Sequence, residues 1–170
     1  MKHRHRLLLA GALLCGPLLP MTALALDATQ ARTALRVVGN IGTQNAGEAF
    51  HFDMKMIEAL PQHSFTTSTP WFPKPMKFTG PLLSDVLAAV KASKATRIKA
   101  IAINDYQASI PMSDTVKYPV IVARLIDGKA IPVREKGPLF VVYPFDSSAE
   151  LRSSVYYERS VWQLKTLEIQ

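Results

Sequence analysis

Cysteine is almost absent from the sequence. The one cysteine, Cys15, lies within the first 25 residues, which the sequence predicts to be removed. Residues 26–170 therefore offer no thiol for a disulfide, a metal ligand or a nucleophile. Histidine is also scarce there, because only His51 and His63 occur, twelve residues apart and with no third ligand at a fixed spacing. The sequence predicts no metal site and no Ser-His-Asp catalytic arrangement.

A long hydrophobic run is missing as well, and this bears on the N-terminus. Lys2, Arg4 and Arg6 precede an apolar segment, 7–19, of about 13 residues, whereas a membrane-spanning helix needs about 20. Ala23-Leu24-Ala25 then supplies the small-x-small pattern that signal peptidase accepts. These features predict a signal peptide over residues 1–25, cleavage after Ala25, and a periplasmic protein that is not inserted in the membrane.

Two alternatives for this segment are a retained membrane anchor and a lipoprotein acylated at Cys15. Pro17 and Pro20 interrupt the apolar run, which argues against the anchor. Leu14 stands where a small residue should precede a lipidated cysteine, which argues against acylation. Export with cleavage remains the prediction.

Clustered charge is absent too. The chain has 20 Lys+Arg and 13 Asp+Glu, and loss of Lys2, Arg4 and Arg6 leaves 17 against 13, or about +4. The basic residues are scattered singly along the remaining chain rather than grouped in a stripe. Nucleic-acid binding requires such a stripe, so the sequence excludes a nucleic-acid partner.

Over residues 35–169 the spacing of apolar residues is typical of a helix in some segments and of a strand in others. The clearest helix, predicted over 81–92, places Leu83, Val86, Leu87 and Val90 on one face. Strands are predicted over 35–38, 49–52, 63–69, 97–103, 106–110, 118–126, 129–133, 139–143 and 160–169, with short helices over 54–60 (capped by Asp53) and from Asp146 to about 157. Many short strands with a few helices predict a single α+β domain, 26–170, with mixed sheets.

Four segments in order resemble the sulfite-oxidase-fold, or oxidoreductase molybdopterin-binding, domain family. They are 78–87 (FTGPLLSDVL), 104–111 (NDYQASIP), 127–139 (DGKAIPVREKGPL) and 159–164 (RSVWQL). Each motif alone is weak, since turns and apolar strands occur everywhere, but four in the same order are more specific. The resemblance spans about residues 35–169 and implies a sulfite-oxidase-like fold and an ancestry among molybdopterin-dependent oxidoreductases.

The chain departs from this family where the cofactor is held. The resemblance implies that catalytic members ligate molybdenum through a cysteine about a dozen residues before the Thr-Gly pair. At that spacing before Thr79 the chain has Thr67-Ser68-Thr69, and hydroxyls are poor substitutes for an anionic thiolate. The family's closing lysines are reduced near Trp162, and Phe140 replaces an arginine. The departures predict no catalytic residue and no bound cofactor, with molybdopterin as the alternative.

These departures favour a ligand-binding or sensor-accessory module over an enzyme. Its predicted partners are a small anionic or heterocyclic ligand and a membrane sensor protein. Two alternatives stay open: a true molybdopterin-dependent oxidoreductase, or a subunit of one, and a structural or interaction protein.

The predicted ligand pocket draws on residues from separate segments. Hydroxyls and an indole would bind a polar ligand by hydrogen bonds and stacking, and basic side chains would attract an anion. The candidates are Thr67, Ser68, Thr69, Trp71, Asn104, Asp105, Tyr106, Arg134, Lys136 and Arg159, with Tyr156 and Tyr157 as a further pair that could stack on a ligand. The alternatives are a filled pocket with Trp71 packed under the proline loop, an ordinary hairpin turn, scattered surface basic residues, and core packing of at least one of the two adjacent tyrosines.

Overall fold

The computed structural model describes residues 32–92 and 94–170. The strands are β1 (Thr33–Gly39), β2 (Ala49–Asp53), β3 (Gln62–Thr67), β4 (Met76–Pro81), β5 (Arg97–Ala102), β6 (Gln107–Pro111), β7 (Ile121–Ala123), β8 (Leu125–Ile126), β9 (Lys129–Ala130), β10 (Phe140–Val142) and β11 (Leu164–Ile169). The α-helices are α1 (Met54–Ala59), α2 (Leu83–Ala89), α3 (Asp114–Lys117) and α4 (Ser154–Arg159), with 3₁₀ turns at Phe145–Ser147 and Ala149–Leu151. The predicted signal peptide and its cleavage site lie outside the described residues.

A five-stranded mixed sheet joins the two ends of the described chain. Its strand order is β2-β1-β11-β5-β6, and β1 and β11 run parallel with Arg36 opposite Thr166. The other neighbours are antiparallel, including the β5–β6 hairpin. Mixed sheets with short helices confirm the predicted α+β class.

A four-stranded sheet, ordered β3-β4-β8-β9, packs beside the two-stranded β7–β10 pair. β4 passes close to β7, and a side chain at Gly80 would collide with the main-chain carbonyl of Val122. The Thr-Gly motif is therefore explained by a close approach of two strands that only glycine permits.

The core lies between the sheets and α2. Leu83, Val86 and Leu87 face it from α2 and are buried, together with Phe78 and Phe140 from the strands. Burying a side chain of this size stabilises a fold by about 1.5–3 kcal/mol. The helix predicted over 81–92 exists but is shorter, because Pro81 completes β4 and Lys91 adopts a left-handed φ of 54°.

Two element predictions are wrong in detail. The strand predicted over 118–126 is divided at Arg124: β7 pairs with β10, whereas β8 joins the sheet of β4. The helix predicted to begin at Asp146 is replaced by two 3₁₀ turns and α4, since the Asp146 carboxylate accepts a hydrogen bond from the Ser68 amide instead of capping a helix. The predicted cap at Asp53 is present, because its Oδ1 accepts from the Met56 amide at 2.8 Å.

Within residues 32–92 and 94–170, no helix has the length and apolar character needed to cross a membrane.

Candidate functional site

A cavity of about 280 Å³ lies between the β5–β6 hairpin and α4. It is the size of a small ligand, at the lower end of the range of binding pockets. Four aromatic side chains and three polar residues line it: Trp71, Tyr106, Tyr157 and Trp162, with Asn104, Glu158 and Ser160. The lining thus comes from the proline-rich loop, the hairpin, α4 and the segment before β11.

Trp71 is fixed by aromatic neighbours on several sides. Its ring centroid lies 5.4 Å from that of Trp162, 5.5 Å from Phe140, and 6.0 Å from both Phe145 and Tyr157. All four pairs are close to edge-to-face, the favourable arrangement for aromatic rings. Trp71 therefore packs on the core and also lines the cavity.

Tyr106 connects the hairpin to α4. Its hydroxyl donates to the main-chain oxygen of Glu158 at 2.9 Å, and its amide donates to Oδ1 of Asn104 at 3.2 Å. The pKa of Tyr106 is raised, first by partial burial and then by the negative charge of Glu158. Asp105 has a φ of 63° and does not line the cavity, so it serves as the turn residue of the hairpin.

Thr67 and Ser68 do not line the cavity. Thr67 is 1% exposed, and its hydroxyl accepts from the Asp146 amide at 3.0 Å. The Ser68 amide donates to Oδ2 of Asp146 at 2.6 Å, and the Thr69 hydroxyl accepts from the Trp71 amide at 3.3 Å. Thr67 and Ser68 tie the end of β3 to the 3₁₀ turn, so the structure places them outside the lining of this cavity.

The three basic candidates do not line the cavity either. Arg159 donates from Nη1 to Oδ2 of buried Asp114 at 2.9 Å, and Tyr143 donates to the same oxygen at 2.8 Å. Arg159 does reach the rim, because it lines an adjacent groove with Tyr106. Arg134 is exposed on a turn. The expected anion cluster at the cavity is not formed, since the ion pair with Asp114 occupies the Arg159 guanidinium.

Lys136 contacts the aromatic cluster from outside the cavity. Its Nζ lies 4.1 Å from the ring centroid of Trp162 and 6.0 Å from that of Trp71. Burial against these rings lowers the pKa of Lys136, because desolvation disfavours the charged ammonium. Lys136 therefore acts as a cation–π partner of Trp162 rather than as a group facing a ligand.

A model of the family described as "Oxidoreductase molybdopterin binding domain" matches residues 34–150. The chain belongs to this family. Among solved structures it is similar to the sulfane dehydrogenase SoxCD from Paracoccus pantotrophus, with a TM-score of 0.61 and 16% identity. The alignment covers 82% of this chain and 38% of the SoxCD chain. This chain therefore has the fold of one part of that protein, which confirms the predicted sulfite-oxidase-like fold. No curated protein matches the sequence.

The residues at which the family resemblance implies a metal ligand, Thr67-Ser68-Thr69, do not fit a thiolate-bound molybdenum. Residues 26–170 contain no cysteine. The buried Thr67 hydroxyl is hydrogen-bonded within the chain, and Ser68 is held through its main chain by Asp146. Among the residues that the structure describes, no three His, Cys, Asp or Glu side chains converge as metal ligands.

Sequence reasoning missed part of the cavity wall. Glu158 was not a candidate, and Ser160 and Trp162 were noted only as part of the closing motif. Of the adjacent tyrosines, Tyr156 is buried against Tyr118 whereas Tyr157 faces the cavity. The two adjacent tyrosines were the sequence signal for this wall, because successive residues on a helix face different directions and only one of them can be buried in the same core.

Proposed function

We propose that this domain is a periplasmic module of sulfite-oxidase fold that binds a small planar ligand and carries out no molybdenum chemistry. The observation that carries the proposal is the aromatic cavity bounded by Trp71, Trp162, Tyr106 and Tyr157. Such pockets combine apolar walls with a few polar groups that fix the orientation of a ligand. Asn104, Glu158 and Ser160 supply those polar groups.

The loss of catalysis is supported by the chemistry at Thr67. A threonine hydroxyl is far less acidic than a thiol and is a harder ligand, so it is a poor match for a soft metal centre. Here the hydroxyl also accepts the Asp146 amide, and metal ligation would have to break that bond. The Arg159 guanidinium is paired with Asp114, which removes one candidate for a cofactor phosphate.

The competing function is a molybdopterin-dependent oxidoreductase, or a subunit of one, and family membership is its support. Metal analysis separates the two. Protein purified from the periplasm of a host that makes the cofactor should contain well under one molybdenum per chain. The Thr67→Cys variant should not gain the metal, because a thiol alone does not supply the cationic groups that seat a phosphate. One equivalent of molybdenum together with reductase turnover would establish the oxidoreductase instead.

Binding is tested with 4-methylquinoline, a neutral planar heterocycle, by titration calorimetry. The chain has two tryptophans, Trp71 and Trp162, and both line the cavity, so tryptophan fluorescence reports the same event. Saturable binding that is lost in Trp71→Leu supports the proposal. Absence of any heat or fluorescence change would contradict it.

Localisation and partner belong to the same proposal. The intact mass of the exported protein should correspond to a chain that begins at Leu26. Recovery of the full-length chain in the membrane fraction would contradict export with cleavage. Crosslinking in the periplasm should capture a membrane sensor protein, as expected for an accessory module.

A further inference from the structure

The charge of the cavity is opposite to what an anion site requires. Of the seven described residues that line it, Glu158 alone carries a formal charge at neutral pH. Glu158 is exposed, and its main-chain oxygen accepts a hydrogen bond from the Tyr106 hydroxyl at 2.9 Å, which fixes this residue beside the Tyr106 ring. Lys and Arg do not occur among these seven residues.

The aromatic walls add to this negative potential. The Trp71 ring stands at 78° to that of Trp162 and at 79° to that of Tyr157, so it is nearly perpendicular to both. The face of an aromatic ring is the negative end of its quadrupole and attracts cations that lie within about 6 Å of the centroid. Aromatic boxes with a neighbouring carboxylate suit organic cations, whose charge is spread and weakly hydrated.

We propose that the ligand of this cavity is a small organic cation, of the class of N-alkylated aromatic heterocycles. The inference rests on the proposed binding function and specifies its ligand class. The sequence analysis left an anionic and a heterocyclic ligand open, and the inference favours the heterocyclic class. An anion would be repelled by Glu158, and no Lys or Arg in the lining would attract it. A permanent charge suits the cavity better than an ammonium, because an alkylated nitrogen has no proton whose hydrogen bond to water would be lost.

Lys136 provides internal support for this assignment. Its ammonium already lies over Trp162 at 4.1 Å, which shows that the cluster accommodates a cation. Lys136 does not line the cavity, but its positive charge lies close to two of the rings that do and repels a ligand cation bound against them. Lys136→Met should therefore raise the affinity for a cationic ligand while leaving a neutral ligand little changed.

The test compares three quinolines of nearly equal size by titration calorimetry. They are 1-methylquinolinium (cation), 4-methylquinoline (neutral at a pH where the ring nitrogen is unprotonated) and quinoline-4-carboxylate (anion). The cation should bind about tenfold more tightly than the neutral compound, as expected for cation–π contacts plus one carboxylate. The anion should bind more weakly than either. Raised salt should lower the affinity of the cation selectively.

Glu158→Gln should remove most of the preference for the cation over 4-methylquinoline. Its matched control is Glu135→Gln, an exposed glutamate that lines a different groove and should leave all three affinities unchanged. Equal affinities for cation and neutral compound would overturn this inference while the proposed binding function stands. Tightest binding of the anion would overturn it in favour of the anionic class. Failure of all three compounds would overturn both the inference and the binding function.

Discussion

The segment where the family resemblance implies a metal ligand, Thr67–Thr69, differs in accessibility from the aromatic cavity. Thr67 is 1% exposed, whereas Tyr106 at the cavity is 44% exposed. Thr67 and Ser68 direct their hydrogen bonds to Asp146, 79 and 78 residues away in sequence. The cavity is instead open to solvent and is lined by four aromatic side chains and by exposed Glu158.

This difference separates a segment that the chain closes with its own hydrogen bonds from a cavity that is open to solvent. The hydrogen bonds of Thr67 and Ser68 with Asp146 satisfy the polar groups of the closed segment. No buried side-chain nitrogen or oxygen in the described residues lacks a partner. The neighbouring cavity remains open because its aromatic walls support one another edge to face.

The largest expected effect concerns α4, which forms one wall of the cavity. Arg159→Met should lower the free energy of unfolding by about 3–5 kcal/mol, because it leaves the carboxylate of Asp114 buried without its cation. Urea unfolding at neutral pH measures this loss. Arg134→Met, which changes an exposed arginine, should cost less than about 0.5 kcal/mol.

The same pair of variants tests whether Arg159 is a ligand-binding cation. If Arg159→Met left stability unchanged but weakened a bound anion, the arginine would be the rim cation expected from the sequence. The ion pair with Asp114 would then contribute little, and the contrast between a structural arginine and an aromatic cavity would fail.

A smaller effect on stability is expected at Thr67, whose hydroxyl is hydrogen-bonded to the Asp146 amide. Thr67→Val preserves the shape of the side chain but leaves the Asp146 amide without its acceptor, which should cost about 1–3 kcal/mol. Thr66→Val is the matched control, since Thr66 lies on the same strand and is exposed. Neither variant should alter the affinity for 1-methylquinolinium. A change in affinity at Thr67 alone would mean that the two regions act as one site.

Several elements of the fold could be predicted from the sequence because a cap, a turn or a glycine marks each of them locally. Asp53 caps α1, the turn at Asp105 closes the β5–β6 hairpin, and Gly80 marks the crossing of β4 and β7. The division of the predicted strand 118–126 into β7 and β8 could not be predicted, because an apolar run does not show which sheet each half joins. The change of sheet at Arg124 depends on pairing partners elsewhere in the chain.

The site was predictable only in part for the same reason. Trp71, Asn104 and Tyr106 meet at one cavity, and the family resemblance was the signal that placed them together. The partners of Thr67 and Arg159 lie 79 and 45 residues away, and neither Asp146 nor Asp114 carries a local pattern that identifies it. Long-range polar pairs of this kind decide whether a hydroxyl or guanidinium faces a ligand or the protein interior.

The smallest expected effect is a pH dependence of stability at Glu150, which is hydrogen-bonded to Tyr156 of α4. Glu150 accepts two hydrogen bonds from Lys117, at 3.0 and 2.9 Å, and one from Tyr156 at 3.0 Å. The hydrogen bond from Lys117 is the main cause that lowers the pKa of Glu150 below its ordinary 4.5. A lowered carboxylate pKa means that its stabilisation is fully present above pH 4.5 and is lost as the pH falls through the folded-state value.

Glu150→Gln should therefore be slightly less stable than the native chain at neutral pH, and the difference should shrink on acidification below pH 4.5. Both side chains of the pair are more than half exposed, so the difference should be small and should fall further in high salt. Urea midpoints measured across this pH range give the comparison, with Glu48→Gln as the control, an exposed glutamate in no ion pair among the described residues. A difference that persisted unchanged in acid would show that Glu150 supports α4 through shape and hydrogen bonding rather than charge. The anchoring of the cavity wall would then rest on the ion pair between Arg159 and Asp114.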